Sequence, residues 1–205
     1  MLPIECLEVA VRAAIINRIA VVHGSHFYLE KNVYENEKFF KKTIDDIEQA
    51  QHDTIKHYHN NYYIPHHPPV WVVNEALSIG KLSRFFSNLH VSLRKCIEPD
   101  FGYDEKLLGS WFRSIAWLRN KCAHHNRVWD APMHVDAPSS STRLPELINR
   151  TTFYGRAIII IALLKTVKPG DAWKHRLIQL IKTTRVVNPS KMGFPTGWDT
   201  FPFWI

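Results

Sequence analysis

The chain has only three cysteines among 205 residues, too few and too scattered for a covalent or metal framework. Cys6, Cys96 and Cys122 lie far apart, and no CxxC pair occurs. This pattern excludes a disulfide-stapled scaffold and a zinc ribbon, and it is typical of a reducing compartment. We therefore expect a cytoplasmic protein that carries no metal ion and no other cofactor.

Long hydrophobic runs are also missing. The longest, AIIIIALL at residues 157–164, is far shorter than the ~20 residues that span a bilayer. The first residues, MLPIECLEV, carry two glutamates and no basic stretch, so they do not form a secretory signal. These features predict a protein that does not enter a membrane.

Several common motifs of nucleotide-binding and hydrolytic enzymes are absent. The sequence contains no GxxxxGK[ST], no GxGxxG and no GxSxG. Nothing therefore favours an NTPase, a dinucleotide-binding enzyme or a hydrolase with a nucleophile elbow.

The chain does have excess positive charge and enough apolar residues for a core. Its net charge is +7, with 45% hydrophobic and 12% aromatic residues. A folded basic domain favours a polyanionic partner, with nucleic acid ahead of an anionic membrane surface. Mild basicity also occurs in proteins that bind no polyanion, so charge alone leaves both interpretations open.

Helical periodicity dominates the sequence and predicts an all-α fold. Apolar residues recur at helical spacing over residues 3–23, 36–58, 72–86, 105–127, 145–166 and 171–184. The third of these helices is expected to continue or restart through residue 97 and to stop at Pro99. The connections at 59–71 and 132–142 are rich in proline, and no alternating strand pattern occurs. We predict a helical domain over residues 1–187 and an aromatic tail, 188–205, that packs on the bundle or on a partner chain.

The helix predicted over residues 105–127 presents two different faces at about 100° per residue. The first is an apolar seam made of Leu108, Trp111, Ile115, Leu118 and Cys122. The second is a polar stripe beside it, made of Arg119, Asn120, Ala123, His124 and Arg127. His125 falls next to the apolar seam, so His124 is the histidine that shares a face with the arginines.

The polar stripe suits phosphodiester chemistry. The guanidinium of Arg119 can clamp a phosphate through two nitrogens, and the imidazole of His124 can exchange a proton near neutral pH. The amide of Asn120 can orient that imidazole or hydrogen-bond a phosphate oxygen. The alternative is ordinary, because an Arg-x4-His pattern arises by chance and most polar stripes are simply solvated faces.

The string LRNKCAHHNRVW at residues 118–129 resembles the signature of Abi-like (abortive infection, AbiD/AbiF-type) proteins of the HEPN superfamily. Three more segments resemble the same family: LPIECLEVAVR (2–12), HYHNNYYIPHHPPVWVVNEALSIGKLS (57–83) and MGFPTGWDTFPFW (192–204). Such proteins usually carry several tens of residues before the LPIE-like segment, so we expect a shortened member.

The resemblance implies a HEPN-like helical bundle that dimerises around the Arg-x4-His helix and acts as a metal-independent endoribonuclease. Arg119 and His124 would be the motif pair, Asn120 their polar neighbour, and two subunits would form one composite site. The expected products carry a 2′,3′-cyclic phosphate and a 5′-OH. The resemblance also implies antiphage defence by a toxin that an antitoxin RNA or protein restrains.

Three further basic residues are candidates for binding the RNA substrate, namely Arg113, Lys121 and Arg127. The rival hypothesis is a non-catalytic RNA-binding or scaffold protein on the same fold, in which Arg119 and His124 serve the dimer interface. A third hypothesis is nucleotidyl transfer, or control by a small nucleotide ligand.

Other polar and aromatic residues have ordinary interpretations. The histidines of residues 57–67 lack ligand spacing, so they favour surface or packing roles over a metal site. Tyr58, Tyr62, Tyr63 and Trp71 are able to stack on unpaired bases, but core packing is the favoured prediction. Cys122 lies on the apolar seam, which predicts a buried, inert thiol.

Overall fold

The computed structural model describes residues 2–184, 186 and 188–205, and within them it confirms the all-α prediction. The extended pairing in this part of the chain is an isolated antiparallel bridge between Tyr34 and Leu89. Contacts divide the chain into two compact units. We call residues 8–105 the N-terminal unit and residues 1–7 with 106–205 the C-terminal unit.

The N-terminal unit is a stack of short helices. Its elements begin within α1 (Leu2–Ala14), which is followed by a π-helical stretch (Ile15–Ala20), α2 (Val21–His23), α3 (Glu37–Glu48), α4 (Asp53–Asn61), α5 (Val70–Ala76), α6 (Ile79–Asn88) and α7 (Val91–Phe101). Helix α3 packs against α6, α4 packs against α5, and the π-helical stretch contacts both α5 and α7.

Local capping explains why the helix predicted over residues 36–58 is in fact two helices. The side chain of Asn36 accepts a hydrogen bond from the backbone N–H of Phe39 (3.0 Å) and begins α3. His52 is extended, and its ring accepts from the N–H of Thr54 (3.3 Å), which begins α4. Periodicity alone does not reveal a break whose two sides keep the same apolar register.

Helix α7 continues through Pro99 and ends at Phe101, so the prediction that it stops at Pro99 is wrong. Gly102 adopts a left-handed conformation (φ +75°), and its N–H binds the carbonyl of Glu98 at 2.8 Å. A left-handed glycine is the usual end of a helix. The proline lies close to the end, where a distorted last turn costs little.

The C-terminal unit is built around an apolar helix. It contains residues 106–123 of α8 (Glu105–Ala123), then α9 (Phe153–Val167) and α10 (Trp173–Thr183), with 3₁₀ turns at Pro189–Met192 and Trp198–Thr200. Every residue from Tyr154 to Leu164 is buried, so the apolar run lies in the core of this unit. Residues 145–152 are not helical, so the predicted start of this helix was too early.

The aromatic tail packs on this same unit. Phe194, Trp198 and Trp204 are buried, and the Trp204 ring lies 5.6 Å from that of Phe194 and 5.9 Å from that of Tyr154. Burial of several large rings makes such a segment a strong contributor to stability. Within the described residues, no helix combines the length and the hydrophobicity that a membrane crossing demands.

Candidate active site at the end of helix α8

The apolar seam predicted on α8 holds the helix in the core. Leu108, Trp111, Ile115 and Leu118 are at most 2% exposed. The indole N–H of Trp111 donates to the carbonyl of Ser139 at 2.9 Å, which attaches the following loop to the helix. Cys122 is half-buried, and burial raises the pKa of its thiol. A thiol that resists ionisation agrees with the prediction of an inert cysteine.

Helix α8 ends four residues earlier than predicted, at a compact backbone turn. The N–H of Asn126 donates to the carbonyl of Lys121 (2.9 Å), and the N–H of His125 donates to that of Cys122 (3.1 Å). These paired bonds form a Schellman motif, with His125 in the left-handed position at φ +52°. A glycine usually occupies that position, and its absence here removes the usual signal for a helix end.

The motif residues sit on the last turn and just beyond it. Arg119 is half-buried and Asn120 is exposed, both within α8. His124 follows the helix, is exposed, and donates its backbone N–H to the carbonyl of Asn120 at 3.1 Å. Neither the Arg119 nor the His124 side chain is buried in the core. The backbone turn fixes the position of His124 relative to the last turn of α8, which carries Arg119.

Arg127 does not share the helical stripe on which the sequence placed it. The helix ends at Ala123, so helical periodicity no longer relates Arg127 to Arg119. Arg127 is exposed in the non-helical segment that follows the turn. It remains three residues from His124, but the backbone turn rather than a helix face sets its position.

Three side chains at this helix end have no partner within the described part of the chain. No hydrogen bond or ion pair engages the side chain of Arg119, His124 or Arg127 there. Elsewhere, Arg18 pairs with Asp100, and the Arg94 Nε donates to Glu105 at 2.8 Å. Guanidinium groups that no carboxylate neutralises are able to bind an anion.

The two other basic candidates on α8 are already engaged. The Lys121 ammonium lies 5.1 Å from the centre of the Trp117 ring. The Arg113 Nε lies 4.0 Å from the Asp136 carboxylate, and both side chains are over 40% exposed. An exposed pair at that distance contributes little stability.

The end of α8 falls within a match to a known protein family. A model of the Abi-like protein family matches residues 2–130, which is more than half of the chain and includes α8 and the turn after it. The chain belongs to the Abi-like protein family. That membership links it to abortive-infection defence. Searches of curated proteins and of solved structures found no match.

In this Abi-like protein, sequence reasoning missed Arg156, a fully buried arginine near the start of α9. Its guanidinium donates to the carbonyls of Met133 (3.1 Å) and Val135 (2.8 Å), and it lies 4.7 Å from the centre of the Trp117 ring. Burial lowers its pKa to about 10, still well above neutrality. Arg156 thus fastens the loop after the motif. The sequence signal that could have revealed Arg156 is a single basic residue at the start of a long apolar run.

A second tether joins the segment after the motif to the C-terminal tail. The Lys191 ammonium lies 3.3 Å from the Asp130 carboxylate and 5.3 Å from the centre of the Trp129 ring. Trp129 is 38% exposed, so it is a surface anchor rather than a core residue. These tethers hold the residues that follow His124 and limit how far the motif can move.

The aromatic segment of the N-terminal unit contradicts part of the core prediction. Tyr58 is buried, as predicted, but Tyr62 and Trp71 are 55% and 50% exposed and Tyr63 is 87% exposed. The rings of His66 and His67 lie 5.1 Å apart in the same connection. No group of three or more His, Cys, Asp or Glu side chains suited to a metal ion occurs among the described residues.

Proposed function

We propose that this Abi-like protein is a metal-independent endoribonuclease of the HEPN type, cleaving single-stranded RNA and acting as a toxin in abortive infection. One observation carries the proposal. Arg119, His124 and Arg127 lie at the end of α8 with no acidic partner in the described residues. An arginine without an acidic partner, about one helical turn before an exposed imidazole, matches the needs of phosphodiester cleavage.

The reaction needs only groups that RNA and this helix end supply. The ribose 2′-oxygen attacks the adjacent phosphorus while a base removes its proton, and the bond to the 5′-oxygen breaks. The leaving 5′-oxygen takes up a proton, which gives a 2′,3′-cyclic phosphate and a 5′-OH. The His124 imidazole exchanges these protons, and the Arg119 guanidinium neutralises the charge that builds on the phosphoryl oxygens.

A homodimer completes this chemistry. Proton removal and proton donation happen at opposite sides of the phosphorus, so a pair of imidazoles serves them better than one. A second copy of the chain, related by a two-fold axis, would supply the second His124 and the second Arg119. Asn120, exposed on the same last turn, would orient the imidazole or hydrogen-bond the phosphate.

The basic residues around the motif would bind the RNA substrate. Arg127 is exposed and unpaired within the described residues, and the exposed Arg113 lies 4.0 Å from the Asp136 carboxylate. Lys121 presents its charge over an indole ring, where it can still reach a phosphate. The net charge of +7 supports association with RNA as a whole. An antitoxin RNA or protein would mask this basic helix end in the cytoplasm.

The test is cleavage of labelled single-stranded RNA in excess EDTA by the purified full chain. Arg119→Ala and His124→Ala should each lower the cleavage rate at least about 100-fold, because each removes a charge or a proton carrier that acts in the transition state. His125→Ala is the matched control, since its ring adjoins the motif without a proposed role, and it should stay within about threefold of the wild-type rate.

The outcomes separate the hypotheses. RNA binding without cleavage in the wild type would favour the non-catalytic RNA-binding or scaffold protein. Cleavage that appears only with Mg²⁺ would contradict the proposed mechanism. An equal loss in His125→Ala and His124→Ala would show that the turn, and not the His124 imidazole, matters for activity.

A further inference from the structure

A groove of about 740 Å³ opens on the N-terminal unit, far in sequence from the motif. It is bordered by α4, α5 and the proline-rich connection between them. Its volume lies in the range of small-molecule binding sites, roughly 300–1,000 Å³. The proposed cleavage uses none of the residues that line it.

Aromatic rings form an accessible wall of this groove. Trp71 is half exposed and makes no ring contact within the described residues. Tyr62 stacks on the buried Tyr58, with ring centres 5.2 Å apart and planes inclined by 29°. Exposed rings held in this way are the usual platforms for unpaired nucleobases.

Hydrogen bonds fix Tyr58, on which Tyr62 stacks, and the proline-rich connection that borders the groove. The hydroxyl of Tyr58 donates to the carbonyl of Pro65 (2.7 Å), and that of Tyr28 donates to the carbonyl of Pro68 (2.6 Å). The His26 Nε2 lies 3.0 Å from the carbonyl of His67. A wall fixed in advance loses little conformational entropy when a ring stacks on it.

Two carboxylates are among the polar side chains that line the groove. Glu75 has no ion pair within the described residues. Asp53, whose side chain is 98% exposed, lies 3.6 Å from the Lys56 ammonium. An ionised carboxylate only accepts hydrogen bonds. Guanine presents two adjacent donors, N1–H and N2–H, on its Watson–Crick edge, whereas the other RNA bases do not present such a pair.

We propose that this groove binds an unpaired guanine base, carried either by an RNA strand or by a free guanine nucleotide. The base stacks on Trp71 and Tyr62 and donates its N1–H and N2–H groups to Glu75 or Asp53. In the case of an RNA strand, the groove adds a base contact to the substrate of the proposed function and rests on that function. Binding of a free nucleotide does not.

The test is equilibrium dialysis of the full chain against GMP, AMP, CMP and UMP, and against 2′-O-methyl oligouridine with a single central guanine or adenine. The 2′-O-methyl groups remove the nucleophile, so a result on binding does not depend on cleavage. We expect at least one guanine probe to bind about tenfold more tightly than its adenine counterpart. Binding of GMP identifies a nucleotide site, and binding of the oligonucleotide alone identifies an RNA site.

Substitutions in the groove test whether guanine binds there. Trp71→Ala should weaken guanine binding about tenfold or more, since stacking is lost. Glu75→Gln combined with Asp53→Asn should remove the preference for guanine over adenine. Tyr63→Ala is the matched control, because Tyr63 is exposed beside the groove without lining it, and it should bind like the wild type. Absence of binding, equal binding of all bases, or unchanged binding in the Trp71 or carboxylate variants would overturn the proposal.

Discussion

The backbone N–H of Asn126 donates to the carbonyl oxygen of Lys121 at 2.9 Å and closes the end of α8. This bond forces His125 into the left-handed region at φ +52° and leaves His124 exposed immediately after the helix. The two neighbouring histidines therefore differ in backbone conformation as well as in position. One shapes the turn, and the other is presented to solvent beside Arg119.

Replacing His125 with glycine should stabilise the protein. A residue with a Cβ pays roughly 1 kcal/mol in the left-handed region, and glycine avoids that cost. His125→Gly should raise the free energy of unfolding by about that amount in urea titrations, while RNA cleavage stays near the wild-type rate. The control is His134→Gly in the same unit, where φ is not positive. A gain there of the same size would contradict the explanation.

Arg156 should stabilise the loop that follows the motif. Arg156→Met keeps the length of the side chain but removes the bonds to the Met133 and Val135 carbonyls. We expect a loss of about 2–3 kcal/mol in the free energy of unfolding, because these bonds are buried and made by a charged donor. Urea unfolding followed by circular dichroism measures it.

Arg150→Met is the matched control for that variant. Arg150 also donates to a loop carbonyl, that of Pro138 at 3.0 Å, but it is exposed. Its loss should cost no more than about 1 kcal/mol. Equal losses in the two variants would show that burial of Arg156 does not add to the strength of its contacts.

Stability should fall in alkaline solution because of two buried tyrosines. Burial, and secondarily a neighbouring tyrosine, raises the pKa of Tyr28 and of Tyr34 above the ordinary value. Their contribution is therefore complete below the unfolded-state pKa of about 10 and is lost as the pH rises above it. Above pH 10, each of the two tyrosines should lower the free energy of unfolding by up to about 1.4 kcal/mol per pH unit.

Unfolding curves between pH 8 and pH 11 measure this effect. Tyr28→Phe loses the bond to the Pro68 carbonyl and should start less stable at pH 8, but its stability should fall less steeply above pH 10. Tyr63→Phe, at an 87% exposed position, should follow the wild type throughout. Parallel curves for the wild type and Tyr28→Phe would contradict the assignment.

The aromatic tail should be essential to the stability of the C-terminal unit. Trp204 is 2% exposed and contacts the rings of Phe194, Trp198 and Tyr154. Trp204→Ala should cost about 3–5 kcal/mol, the range for emptying a large aromatic site. Thermal unfolding of Trp204→Ala beside Trp129→Ala, at a 38% exposed position, checks this, since the second change should cost far less.

Much of the fold was predictable because long apolar periodicity is a direct consequence of burial. The seam of α8 and the central position of α9 follow from such patterns. The helix ends were less predictable, because local hydrogen bonds decide them. Asn36 and His52 cap helices through their side chains, and His125 ends α8 where a glycine would be expected.

The candidate site remains a prediction, and its residue types could be read from the sequence more readily than its surroundings. Their spacing singled out Arg119 and His124 as candidates. The helical wheel that placed Arg127 with them assumed a helix through residue 127, whereas α8 ends at Ala123. Arg156 and the open wall at Trp71 depend on contacts between segments distant in sequence. A single sequence carries no signal for such contacts beyond the types of residue involved.

The chemical ends of the RNA fragments test the central proposal most directly. Single-stranded RNA is incubated with the full chain in excess EDTA, and the fragments are analysed by mass spectrometry. We predict a 2′,3′-cyclic phosphate on one side of each cut and a 5′-OH on the other, with neither formed by His124→Ala. Fragments that carry a 3′-OH and a 5′-phosphate, or RNA left intact by the wild type, would contradict the assignment.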